Sequence, residues 1–297
     1  MTDFSKLFGI FLISVPLVVL CTDEGLLWYF TSPVIMVFLI FILLITWLLL
    51  KKIINVRTKK LIIEKEKLET FIADMFPKNT LDELMTKGKA SKVKYDFVTV
   101  MFADIHGFTK IAEVMDTEAL IDELDKFFSA FDSVVEKYGI EKIKTIGDAY
   151  MCAGGIPEND RANPIMIILA GLEMMDYMRR RNSEGIKLWD IKIGIHTGSV
   201  IAGVVGQKKL SYDIWGDTVN TANHIESSGE AEKINISGTT YEFVKDFFDC
   251  SFRGKIPVKY KGELEMYFVT GIKPELCDSN GIPNHKFWEK VAIYDRD

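Results

Sequence analysis

Asp104 closes the apolar run KYDFVTVMFADI, and Asp148 sits at the Gly147-Asp148 turn of KTIGDAYM. Carboxylates presented at a strand end and at a hairpin tip of one sheet can meet around Mg²⁺, which prefers oxygen ligands and draws the rest of its shell from substrate phosphates. Between them, HGFT sets Gly107, Phe108 and Thr109 just ahead of a helix, where backbone N–H groups can cradle phosphate oxygens. The pattern G-x-x-x-x-G-K-[ST] is absent, so this is no P-loop. Farther along, GDTVNTANHIES places Asn220 and His224 one turn apart on the open face of a helix, with Val219, Ala222 and Ile225 on its buried stripe and Asp217 as the expected N-cap. Taken singly, each aspartate also reads as a turn former or helix cap, and the polar helix face as solvated surface.

These residues need a scaffold. The β-branched run ending at Asp104 reads as a central strand, and Thr117 to Lys137 carries helically spaced Leu120, Leu124, Phe127, Phe128, Phe131 and Val135. EKIKTI and AYMCAG flank the Gly147-Asp148 turn as a β-hairpin, a helix is expected over about residues 162–181, and DIKIGIHTG reads as a further strand. Strands and helices alternating around a central hairpin predict an α+β domain over residues 95–275, an antiparallel or mixed sheet with helices on one face. Residues 276–297 form a tail with no usable pattern.

The chain upstream has a different character. Residues 26–50 contain no charge and are long enough to cross a bilayer, and Lys51, Lys52, Arg57, Lys59 and Lys60 follow at once. By the positive-inside rule this predicts a cell-membrane protein, plasma or inner, whose remaining domain is cytoplasmic. Residues 7–21 are shorter and contain Pro16; they read as a second crossing or as the h-region of a signal peptide. No small-residue cleavage pattern precedes Thr22, so a transmembrane helical hairpin over residues 1–50 is the preferred reading. In the linker, residues 51–94, Ile54, Leu61, Leu68 and Met75 recur at sevens with Phe71 and Ile72 beside them. That spacing suits a parallel coiled coil pairing two chains, or a single amphipathic helix on the domain's own surface. Pro77 should end it, and Asn79 or Thr80 should cap a helix over Leu81 to Met85. Four cysteines without C-x-x-C spacing suggest neither a disulfide framework nor zinc, and a formal net charge of −6 argues against nucleic acid as partner.

FADIHGFT, KTIGDAYM, GIHTGSVIAGVVG and SYDIWGDTVNTANHIES occur in that order, and together they resemble the catalytic domain of class III nucleotidyl cyclases, the adenylyl and guanylyl cyclases. The resemblance implies a ferredoxin-like βαββαβ-type mixed sheet. It also implies two Mg²⁺ or Mn²⁺ ions per site on Asp104, Asp148 and the backbone of Ile105. Substrate would be bound by Lys144, Asp213, Lys261 and the Gly107–Thr109 turn, with Asn220 on the ribose. In that family the ribose 3′-hydroxyl attacks the α-phosphorus in line, and pyrophosphate leaves from a site shared by two catalytic domains. A chain carrying both residue sets then implies a homodimer, joined through the catalytic domain and the linker coil. Lys144 and Asp213 stand at the base-reading positions, where an ammonium can donate to adenine N1 and a carboxylate can accept from the 6-amino group; guanine reverses both polarities. Guanylyl cyclases tend to carry Glu and Cys there, so ATP is the expected substrate and a membrane-bound adenylyl cyclase the expected activity. His224 departs from the pattern, standing where active members generally have an arginine on the α-phosphate. An arginine is always charged and grips two oxygens, whereas an imidazole offers one directed donor. A slow enzyme, or a cyclase-like domain that only binds nucleotide, are therefore the alternatives, with a guanylyl cyclase behind them. His106 and His196 read as solvent-facing or structural, and Gly198, Gly203 and Gly206 as packing and turn glycines.

Overall fold

A computed structural model describes residues 25–73, 75–183, 189–259 and 261–295. The expected crossing over residues 7–21 lies outside them. Met1–Phe71 and Ile72–Asp297 form two compact units. Among the described residues of the first, one helix, α1 (Gly25–Ala73), runs from the apolar segment into the linker without a break. From Ile35 its large apolar side chains are exposed, and the helix is long and apolar enough to cross a membrane. The linker positions Ile54, Leu61 and Leu68 are exposed as well.

The second unit opens with α2 (Lys78–Lys87), earlier than the sequence suggests. Pro77 takes the N-cap place and no side chain caps the helix, so neither Asn79 nor Thr80 does so. Pro77 has no N–H to leave unpaired, and its fixed φ suits a helix start as well as a helix stop. Gly88, at φ 70°, ends α2 in the left-handed region.

Next come β1 (Val93–Ile105), α3 (Phe108–Val114), α4 (Thr117–Lys137), β2 (Glu141–Ile146), β3 (Ala149–Gly154), α5 (Asn163–Ser183) and β4 (Ile191–Val205). Their sheet order, β2-β3-β1-β4 with every neighbouring pair antiparallel, is the ferredoxin-like arrangement. The chain then adds β5 (Ser211–Trp215), α6 (Asp217–Ser227), β6 (Ile234–Ser237), α7 (Gly238–Val244), β7 (Phe248–Val258) and β8 (Gly262–Ile272). Here β6 joins β4 in parallel and β8 and β7 extend the sheet, while β5 folds back antiparallel on β4, so the sheet is mixed.

Strand alternation sorts the core. Met101, Ala103 and Ile105 face one side of the sheet and pack with Phe127 and Phe131 of α4 and the buried stripe of α5. Val98, Val100 and Phe102 face the other, where Ala222 of α6, Phe76 and Val200 cover them. Helices on one face alone were expected; α6 occupies the second face because β1 is apolar on both sides and both must be shielded from water. Asp116 caps α4 by accepting from the N–H groups of Glu118 and Ala119. The tail also contributes: α8 (His285–Tyr294), capped by Asn284, buries Phe287 and Val291 in the first core cluster.

Candidate active site

Asp104 pairs with Ala149 across the β1–β3 ladder, so Asp148, the residue before Ala149, comes beside it at the hairpin tip. The turn requires Gly147, which sits at φ 63°. Burial first, and the negative charge of Asp104 second, push the Asp148 carboxyl up from its ordinary value. Two crowded carboxylates of this kind are a donor set for a hard divalent cation, which would relieve their repulsion. Among the described residues no group of three or more His, Cys, Asp or Glu side chains is placed to hold a metal, so further oxygens must come from backbone, water or a ligand.

A cation already stands at this place, and sequence reasoning did not single it out. Lys192 of β4 lies 3.2 Å from Asp104 Oδ2 and 2.7 Å from Oε1 of Glu226, a buried residue of α6. Burial alone would lower the Lys192 ammonium, but the hydrogen bond and charge of Glu226, then of Asp104, hold it above its usual value. Burial pushes the Glu226 carboxyl up, against Lys192. The signal was present: Lys192 shares its strand face with Gly194, His196 and Gly198, an inward-pointing charge in an otherwise apolar or small series. The glycines on that face let α6 lie flush on β4. A Cβ at Gly194 would come within 2.1 Å of Glu226 N, and one at Gly198 within 2.6 Å of Thr218 Oγ1. Packing thus accounts for Gly198. A Cβ at Gly206 would meet Lys209 O at 2.2 Å in a tight turn, and one at Gly203 would press on Lys92 at 3.2 Å.

Lys144 and Asp213 are 69 residues apart in sequence, yet Lys144 Nζ donates to Asp213 Oδ2 at 2.5 Å. The fold makes this contact by bringing β5, curled back from β4, over to β2. Asp213 is mostly buried, and its Oδ1 accepts from Ile214 N at 2.9 Å; the Lys144 side chain is 38% exposed. The pair therefore presents one cationic donor and one anionic acceptor side by side.

Helix α6 holds Asn220 exposed and His224 half-buried one turn on, while Thr218, Thr221, Ala222, Ile225 and Glu226 are buried. Val219 is only partly buried. Gly216, not Asp217, is the N-cap. The Asp217 carboxylate is drawn outward to Lys261, whose hydrogen bond holds it below its ordinary value. Lys261 thus stands at the first turn of the helix that carries Asn220 and His224, paired with a side chain that is 81% exposed.

Gly107, at φ 73°, starts α3, and Phe108 anchors the turn edge-on against Trp189. The N–H groups of Phe108 and Thr109 belong to a first helical turn and have no acceptor within the helix. His106 is exposed, whereas His196 is half-buried with Nδ1 at 2.8 Å from Ser237 Oγ. Burial, then the nearby Lys261 charge, push its imidazole down to about 4, so it stays neutral and structural at ordinary pH.

The family model "Adenylate and Guanylate cyclase catalytic domain" matches residues 69–271. The receptor-type guanylate cyclase gcy-28 of Caenorhabditis elegans is 36% identical over 231 residues, 75% of this chain and 18% of that protein. Among solved structures, the guanylate cyclase domain of RhGC from Catenaria anguillulae in complex with GTP has 33% identity and a TM-score of 0.59, over 61% of this chain and 100% of that one. The adenylyl cyclase CyaB from P. aeruginosa has 31% identity and a TM-score of 0.58, over 63% of this chain and 100% of that one. The chain spans about a fifth of the length of the curated relatives it matches.

Proposed function

The chain belongs to the adenylate and guanylate cyclase catalytic domain family, and within that family we propose that it is a membrane-anchored adenylyl cyclase forming 3′,5′-cyclic AMP and pyrophosphate from ATP. The observation that carries this reading is the Lys144–Asp213 contact. Adenine offers an acceptor at N1 beside a donor at the 6-amino group, which the pair complements. Guanine offers a donor beside an acceptor and would leave two mismatched groups, a costly fault where Asp213 is mostly buried.

Asp104, Asp148 and the Ile105 carbonyl would hold two Mg²⁺ or Mn²⁺ ions, which when bound favour the ribose alkoxide and neutralise the phosphates. The chain's own residues do the positioning. Asn220 orients the ribose so that its 3′-oxygen lies in line with the α-phosphorus. The Gly107–Thr109 turn donates N–H groups to phosphate oxygens. Lys261 exchanges Asp217 for the terminal phosphates, and His224 donates to the α-phosphate as charge builds there. In the proposed homodimer the metal carboxylates of one chain work with Lys144, Asp213, Asn220, His224 and Lys261 of its partner. The apolar helix α1 supports attachment to a cell membrane, and the names of receptor-type relatives agree with it.

The curated relatives are named guanylate cyclases, which supports GTP as the second reading. The test is product analysis by chromatography after the full chain in lipid nanodiscs is given ATP or GTP with Mg²⁺ or Mn²⁺. Cyclic AMP as the main product is expected. Cyclic GMP in excess would overturn the base assignment, and nucleotide binding without product across about pH 6 to 8 would make the domain a binding module.

A further inference from the structure

A cavity of about 780 Å³ opens in the cyclase unit, and none of the residues assigned above to metal, base, ribose or phosphate lines it. Its walls are Met75 and Pro77 ahead of α2, Val135 of α4, Ile140 and Glu141 where β2 begins, and Tyr212 of β5. That volume falls within the range of small-molecule sites, and the lining mixes apolar side chains with charged ones.

Glu141 is the polar group that stands out. Its side chain is half-buried, and among the described residues it joins no ion pair and accepts no hydrogen bond. The charges around it are committed or turned to water. Lys142 is bound to Asp132 at 2.6 Å, and Asp132 also accepts from Tyr150 at 2.7 Å. Lys78 and Glu136 are exposed. The phenols of Tyr95 and Tyr212 lie near Glu141, and Tyr95 donates to Pro157 O at 3.2 Å. A half-buried carboxylate without a partner is an unfavourable arrangement unless a cation completes it. Of the three carboxylates in the wall, Asp132 is paired and Glu136 is exposed, which leaves Glu141 as the half-buried one without a partner among the described residues. No three ligating side chains are grouped for a metal ion there, so the site suits an organic cation better.

We propose that this cavity is a binding site for a small organic ammonium ion, whose charged nitrogen pairs with Glu141 and whose apolar body lies against Met75, Val135 and Ile140. Burial, which pushes the Glu141 carboxyl up to about 7, makes such binding pH-dependent. The ionised form that the ammonium needs dominates at pH 8 and is the minor form at pH 6. Affinity should therefore fall about tenfold between them. The inference does not depend on which nucleotide the chain uses.

The test is saturation-transfer NMR on the full chain in nanodiscs, with benzylammonium as probe and benzyl alcohol as its neutral counterpart. At pH 8 benzylammonium should bind. Its affinity should fall about tenfold in Glu141→Gln, which removes the charge and keeps the shape. Benzyl alcohol should not distinguish wild type from Glu141→Gln, and Ser211→Trp, which sets an indole into the cavity wall, should weaken binding of both. The proposal is overturned if benzylammonium does not bind, or if its affinity is the same with and without the Glu141 charge. It is equally overturned if the alcohol loses affinity in parallel. The loss between pH 8 and pH 6 reads the same interaction in the unmodified chain, should a variant fail to fold.

Discussion

Exchanging the base-reading pair should invert substrate choice. The perturbation is Lys144→Glu with Asp213→Cys. In the wild-type chain the two side chains meet at 2.5 Å, with 15% of Asp213 and 38% of Lys144 exposed. A mismatched buried hydrogen-bonding group costs about 1–3 kcal/mol. Both guanine edges are mismatched, but Lys144 is partly open to water, so the lower half of that range applies to each. The sum, about 2–4 kcal/mol, predicts a preference for ATP over GTP of roughly 30- to 900-fold in kcat/KM. The double variant should reverse the ratio by a similar factor. Lys144→Glu alone should fail with both nucleotides, because it sets a second carboxylate against Asp213. Like charges about 4 Å apart repel by about 4 kcal/mol at an effective dielectric of 20. Asp213→Cys should then rescue activity with GTP. The assay is kcat/KM for both nucleotides with Mn²⁺, the cyclic products being separated by chromatography. Equal use of ATP and GTP by the wild type, or a ratio that moves less than about threefold in the double variant, would refute the polarity argument.

Other outcomes follow from the same geometry. Asp104→Ala and Lys144→Ala chains should each be inactive, while their equal mixture should recover about a quarter of wild-type cyclase activity, since half the dimers carry one intact site; no recovery despite proven mixing would exclude a shared site. His224→Arg should raise kcat by roughly 10- to 100-fold, read from initial rates with ATP, because a guanidinium grips two phosphate oxygens where an imidazole offers one donor. Glu141→Gln should stabilise the chain at high pH only. The native carboxyl titrates at about 7 against an ordinary 4.5, so native stability falls as pH rises through that window and is fully lowered above it. Thermal unfolding should then show a gain of about 3 kcal/mol for Glu141→Gln at pH 8 and almost none near pH 4.5. Gly194→Ala should lower the melting temperature sharply, because its methyl would meet Glu226 N at 2.1 Å, backbone that cannot move aside without shifting α6.

How much could be read without coordinates varied with the range of the interaction. The stripe of Leu120, Phe127 and Phe131 places α4 to the residue, and the Gly147-Asp148 turn places the β2–β3 hairpin, since both signals are local. The start of α2 was misjudged because Pro77 serves equally well before or after a helix, and only the path of the backbone decides between the two. Asp217 was read as a cap on local grounds, but Lys261, distant in sequence, competes for its carboxylate. Helix α8 was missed because its anchors, Phe287 and Val291, are too few and too close to the chain end to make a pattern, and are recognisable only by what they bury.

The sequence by itself determined the kinds of chemistry available. It set an apolar segment long enough for a bilayer, two aspartates at a strand end and a hairpin tip, an ammonium and a carboxylate at the positions proposed to read the base, and a histidine at the position proposed to face the α-phosphate. Hydrophobic period and turn chemistry act over a few residues and survive in any one-dimensional reading. Only the tertiary structure decided which charges meet: Lys144 with Asp213, Lys192 between Asp104 and Glu226, Lys261 with Asp217, and Glu141 with none among the described residues. Those pairings follow from sheet order and register, and their strength from burial. Both are properties of how the whole chain excludes water rather than of any segment within it.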